Sequence, residues 1–258
     1  MKALRAHVLD AYLDGKSLRG VDARIHVTGI RQEITEKQTF GENTGWDGRR
    51  RKRAKRELIR ITIEFGLLEI HSVAAREAAI EAVNGWAGDG YLSISSKPGR
   101  RAHVTCQGRA AVKEPQNPKE SFSIVFETAE SPFWEDQQPA SLSLSGLTGS
   151  GNFRIPGTAD MNADVAVTPS GGTLNALTLY LGDSEMVFSG LSVPSGQTLL
   201  ITHDENGYLR IRCGNESKLP CRTGESNDEL NAGPGPVTAS FTANTHCTVV
   251  FTARGRYR

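Results

Sequence analysis

Seven positive charges fall within eight residues at Arg49-Arg50-Arg51-Lys52-Arg53-Ala54-Lys55-Arg56. A run this dense repels itself and seeks phosphates or carboxylates. Three readings compete for it: a nucleic-acid contact, a solvated loop without a partner, and an ordered loop that pairs with acidic residues of an adjacent subunit or a neighbouring protein. The first calls for aromatic or polar partners that read bases, yet only Trp46 lies close. Nor does the rest of the chain help, since 30 Lys and Arg against 29 Asp and Glu leave no general field to attract nucleic acid. Sequence-specific nucleic-acid binding is therefore not expected. Arg favours the third reading, because its planar fork of donors engages carboxylates bidentately at protein interfaces. The candidate assembly residues are Trp46, Asp47, Arg49, Arg50, Arg51, Arg53 and Arg56.

Other reactive residue types are scattered. The histidines at 7, 26, 71, 103, 203 and 246 form no His-Glu-x-x-His, Gly-x-Ser-x-Gly or Cys/His nucleophile pattern, so no enzyme is expected. Asp160 with Asp164, or His203 with Asp204, lack the close spacing of oxygen ligands that a Ca²⁺ loop uses, and no metal is expected. The stretch Gly146-Leu147-Thr148-Gly149-Ser150-Gly151 has neither the Lys nor the following helix of a phosphate loop, and no cofactor is expected. Cys106, Cys213, Cys221 and Cys247 include no Cys-x-x-Cys pair and read as reduced, partly buried thiols, with a zinc site or a disulfide as the alternatives. Trp134, beside Pro132 and Phe133, has two readings: packing at a hinge between domains, or an aromatic platform for a ligand such as a sugar.

The elements that hold these residues change character near position 136. The chain before this point carries 22 Lys and Arg and 19 Asp and Glu, and the chain after it 8 and 10, so two domains are expected, 1–136 and 137–258. In the first, Ala23–Val27 and Leu58–Phe65 alternate as half-buried strands. Ser72 is a fitting N-cap for a helix of about 14 residues, with Val73, Ala79, Ile80, Val83 and Trp86 on one stripe. Tyr91–Ser95, the turn Lys97-Pro98-Gly99-Arg100 and Ala102–Cys106 predict a hairpin, and Ser121–Glu127 a further strand. This is an α+β domain with one helix on a mainly antiparallel sheet. Residues 137–258 hold 12 Ser, 13 Thr, 15 Gly and 8 Asn, a composition suited to short strands and tight turns. Strands are predicted near 141–147, 163–168, 174–181, 185–190, 198–203, 207–212, 237–243 and 247–253. Asn206-Gly207 is a hairpin turn of the type I′ kind. Eight such strands predict a jelly-roll sandwich, with a barrel as the alternative. The fold class is mainly β.

At 258 residues, with 38% hydrophobic and 23% charged, the chain can bury a core, and it contains no apolar run long enough to span a membrane. Its start, Met1-Lys2-Ala3-Leu4-Arg5-Ala6-His7, carries charges where a signal peptide needs apolar residues, so the protein is expected to stay where it is made.

The succession of strands near 23–30, the loop Gly45-Trp46-Asp47-Gly48, the strand Leu58–Phe65, the helix Ser72–Trp86, a hairpin, the strand Phe122–Phe126 and the exit Ser131-Pro132-Phe133-Trp134 resembles the distal tail proteins, the Dit family, of long-tailed bacteriophages. The likeness continues through Asn152, Gly157-Thr158-Ala159, Leu177–Tyr180, Phe188-Ser189-Gly190 and Leu199–Gly207, which look like the family's galectin-like domain. The resemblance implies a virion structural protein without turnover, made in the cytoplasm of the bacterial host. Its N-terminal domains would form a homo-hexameric ring at the tail tip, between the tail tube protein and the tail tip or baseplate hub with its adsorption apparatus. Its galectin-like C-terminal domains would project outward. A galectin-like sandwich also raises an alternative, a carbohydrate-binding accessory protein of the tail that contacts host surface glycans. Against that stands a second domain without Trp, its aromatics Phe153, Tyr180, Phe188, Tyr208, Phe241, Phe251 and Tyr257 falling mostly at core-like positions.

Overall fold

The computed structural model describes residues 8–42, 49–68, 72–112, 121–129, 131–204, 208–224 and 226–257, and within 35–57 the backbone alone. The chain divides into two compact units, Met1–Trp134 and Glu135–Arg258.

The strands of the first unit are β1 (Ala11–Leu13), β2 (Lys16–Ser17), β3 (Ile25–Glu42), β4 (Arg49–Leu67), β5 (Gly90–Ile94), β6 (Arg100–Gly108) and β7 (Phe122–Thr128). They form an antiparallel sheet in the order β2-β1-β5-β6-β7-β4-β3. Alternation decides which side is covered. Ile59, Ile61, Ile63 and Phe65 on β4 are buried, as are Phe122, Ile124 and Phe126 on β7. The only α-helix among the described residues, α1 (Val73–Trp86), is capped by Ser72 Oγ, which accepts from the Ala75 N–H. Its buried face is Arg76, Ala79, Ile80 and Val83. Arg76 lies 5.2 Å from the centre of the Phe122 ring, and Trp86 meets Phe126 edge to face at 6.1 Å, so both ends of the helix are anchored on β7. Val73, expected on the apolar stripe, is 53% exposed. It is the first helical residue, and its side chain leans back beyond the turn that rests on the sheet.

Both long strands exceed their expected lengths. β4 pairs β7 only over Arg60–Phe65, but pairs β3 from Leu67 to Arg49. The seven rungs from Glu36↔Arg56 to Glu42↔Arg49 therefore form a two-stranded ribbon that continues beyond the sheet. At about 3.4 Å per residue it reaches roughly 20 Å.

Strand β8 (Trp134–Asp136) spans the division, and the second unit contains β9 (Ala140–Ile155), β10 (Met161–Asn162), β11 (Asp164–Pro169), β12 (Leu174–Leu181), β13 (Ser184–Val193), β14 (Leu199–His203), β15 (Leu209–Cys213), β16 (Glu216–Ser217), β17 (Asn231–Ala232), β18 (Gly235–Ala253) and β19 (Arg256–Tyr257). The segments expected as separate strands at 237–243 and 247–253 are one strand, β18. Its first half pairs β12 and its second half pairs β11, while β9 accompanies it throughout. The register breaks between Thr242 and Cys247, opposite Thr148 and Gly146. A bulge of this kind adds twist and bend without ending the strand. Gly146, at φ +139, permits the bend, since a Cβ there would stand 2.7 Å from the Thr148 carbonyl oxygen. Beyond it β9 returns so closely that a Cβ on Gly151 would lie 3.1 Å from Leu144 Cδ2. The layers expected as a sandwich are thus one continuous sheet, curled around a core that includes Val165, Val167, Leu177, Leu179, Phe188, Ile201, Phe241 and Phe251. The Asn206-Gly207 turn lies outside the described residues, though β14 and β15 on either side pair antiparallel.

The C-terminal strand β19 pairs β8. The Asp136 N–H donates to the Gly255 carbonyl at 3.0 Å, Tyr257 Oη donates to Asp136 Oδ2 at 3.1 Å, and Arg254 Nη1 donates to the carbonyls of Asp136 and Gln137.

Candidate assembly surfaces

Arg49, Arg50, Arg51, Arg53 and Arg56 do not lie in a loop. Their backbone belongs to β4, in register with Glu42, Gly41, Phe40, Thr39 and Glu36 of β3. No Gly or Pro interrupts positions 49–58, so nothing stops the strand. Periodicity gave no warning, because a run of Arg and Lys has no apolar alternation to detect. Trp46 and Asp47, with the rest of the Gly45-Trp46-Asp47-Gly48 segment, lie outside the described residues. Among the described residues the five arginines lie on a stretch of β4 that pairs with β3 alone.

Among the described residues β3 pairs with β4 alone, which makes it an edge of the first sheet. Arg31 and Glu33 sit on it, and its register shifts three times, both devices that discourage indiscriminate pairing. Arg31 reaches across to Glu64 Oε1 at 3.0 Å.

Trp134 is fully buried, which removes it as a ligand platform. Its indole Nε1 donates to Gln32 Oε1 at 3.1 Å, and Lys97 Nζ lies 5.1 Å from the ring centre. Burial pushes the Lys97 ammonium below its usual pKa, and the nearby Arg100 charge pushes it the same way. The indole thus ties β3 to the turn after β5. Trp134→Ala is expected to cost about 3–5 kcal/mol of stability, visible as an earlier thermal transition by circular dichroism. A variant as stable as the parent would contradict this packing role.

In the second unit Phe153, Phe188, Phe241 and Phe251 are buried as expected, whereas Tyr208 is 68% exposed. A cleft of about 200 Å³ there is lined by residues that include Asp164, His203, Arg254 and Arg256. Its polar groups already face one another: His203 Nδ1 is 3.2 Å from Asp164 Oδ1, and Arg256 Nε is 3.4 Å from Glu135 Oε1. Asp204, considered with His203 in sequence, instead accepts from Arg210 Nη2 at 2.7 Å. The four cysteines are free thiols, with Cys213 and Cys247 buried. Sequence reasoning missed the His203–Asp164 pair, which joins residues 39 apart through the pairing of β11 with β14.

Neither a protein-family model nor a curated protein matches this chain. Solved structures do. The chain is similar to SPP1 Dit (gp 19.1), described as a paradigm of the hub adsorption apparatus in phages infecting Gram-positive bacteria. The TM-score is 0.73 at 15% identity, over 96% of this chain and 99% of that one. It is also similar to a chain of the phage p2 baseplate in its activated conformation, with Sr (TM-score 0.50, 10% identity, 95% and 97% covered) and with Ca (0.50, 9%, 95% and 98%). The resemblance to distal tail proteins seen in the sequence is borne out at the level of fold.

Proposed function

We propose that this chain is a structural protein of a long-tailed phage, that copies of it close into a ring of six at the distal end of the tail, and that the ring joins the tail tube to the tip or baseplate hub. The observation that carries this reading is the likeness to SPP1 Dit along 96% of the chain, through both units. A ring built from one kind of chain needs a heterologous contact, in which one surface meets a different surface of the next copy and the rotation closes. The open edge of β3 and the charged ribbon are suited to such a contact. The role is binding and connection, with no reaction, and its place is the virion after synthesis in the bacterial cytoplasm.

Salt separates this reading from its rivals. Charge pairs across the rim of an interface weaken as the Debye length falls from about 10 Å at 0.1 M to about 3 Å at 1 M. Light scattering at low and moderate salt is expected to give a multi-copy mass that declines as salt rises. A salt-independent monomer that binds a glycan array would favour the carbohydrate-binding alternative.

A further inference from the structure

Sheet edges reveal which neighbours a β protein expects, because an unpaired row of N–H and C=O groups is a template for another strand. Among the described residues the curled sheet of the second unit has three such edges, and two are guarded. β13 is covered by residues 222–224, 226 and 227: the Thr223 N–H donates to the Val187 carbonyl at 2.9 Å, the Asn227 N–H to the Glu185 carbonyl at 2.8 Å, and Ser226 Oγ and Asn227 Oδ1 accept from the N–H groups of Val187 and Glu185. β16 is only two residues long. The third edge is β9, sixteen residues that pair with β18 alone among the described residues. From Ala140 to Phe153 this edge carries no charge and no proline.

We infer that the β9 edge pairs with the same edge of a second copy of this chain, antiparallel about Ser143. The segment Ala140-Ser141-Leu142-Ser143-Leu144-Ser145-Gly146 reads nearly the same in both directions. With Ser143 on the two-fold axis, Leu142 faces the mate's Leu144, Ser141 faces Ser145, and Ala140 faces Gly146. An isologous contact requires this reciprocity. The side chains agree with it. Ser141, Ser143 and Ser145 are exposed, whereas Leu142 and Leu144 are half-buried at the rim of the core, where a mate's leucines would complete their cover. No like charges oppose one another across the axis. The pairing ends naturally at Gly146, where β9 bends. Seven residues a side fall short of the about 1,200 Å² typical of stable complexes, so the contact is weak in dilute solution and strengthens where copies are concentrated. It makes no use of the β3 edge or the basic ribbon, and it holds or fails apart from the ring.

Single cysteines read the register directly. Directly opposite residues of an antiparallel pair have Cα atoms about 4.5–5.5 Å apart, within the range a disulfide accepts. Under mild oxidation of the full chain, Ser143→Cys is expected to form a disulfide dimer about tenfold faster than Ser141→Cys or Ser145→Cys alone, because only position 143 meets itself. An equal mixture of Ser141→Cys and Ser145→Cys should recover the fast rate, while the parent, with its four native thiols, gives the background. Ser143→Lys, which opposes two ammonium groups at the axis, should halve the mass found at high concentration and leave any ring intact. Equal rates for all three cysteine variants, or a Ser143→Lys mass equal to the parent's, would overturn self-pairing. Dimer loss with no change in ring mass would separate this contact from the proposed ring.

Discussion

Replacing Ile61 by Asp is expected to unfold the N-terminal unit and to leave a separate melting transition for the C-terminal unit. Ile61 is 0% exposed at the centre of β4, in register with Gln32 on one side and Phe126 on the other. The change removes a buried aliphatic side chain, worth about 2–5 kcal/mol, and places a carboxylate where no cation is in register to meet it, at a further cost of several kcal/mol. A domain typically holds about 5–15 kcal/mol in all. Far-ultraviolet circular dichroism on heating should therefore show one transition in the variant and two in the parent. Loss of all structure would mean that the second unit depends on the first, and an unaltered profile would mean that Ile61 is not in the core.

The second large effect concerns assembly. Changing Arg49, Arg50, Arg51 and Arg53 together to Ser should reduce a six-copy mass to single copies at moderate salt while the melting temperature of the chain changes little. These residues lie on the part of β4 that pairs with β3 alone, away from the strands that carry the core of the sheet. Loss of four positive charges from a rim contact slows association and weakens it, whereas substitutions away from a packed core usually move stability by less than about 0.5 kcal/mol each. Rings that survive the fourfold change, and still bind tail tubes, would refute the ribbon's part in the interface.

Much of this architecture was legible because burial writes itself into sequence as periodicity. Ile59, Ile61, Ile63 and Phe65 alternate because one side of β4 is buried, and Ala79, Ile80 and Val83 recur at helical spacing because one face of the helix is. Where that cause is missing, the sequence falls silent. The ribbon from Arg49 carries no apolar period, so its strand showed only as a charge run. Separate strands at 237–243 and 247–253 are what the sequence suggests, whereas the pairing with β9 resumes on the far side of the bend and makes them one strand. Trp134 exposed the limit of residue type as a guide: an indole suits a sugar platform or a buried anchor equally, and its bond to Gln32, 102 residues away, is a property of the fold alone. The uncharged edge of β9 was visible as a strand, but its lack of a second partner emerges only from sheet order.

A ring of six copies is tested most directly by electron microscopy of the negatively stained full chain at low salt. Annular particles whose averages show six-fold symmetry are expected, with a native mass of six copies or a multiple of six. Particles of single-copy size at every concentration, both alone and together with tail tubes, would contradict it.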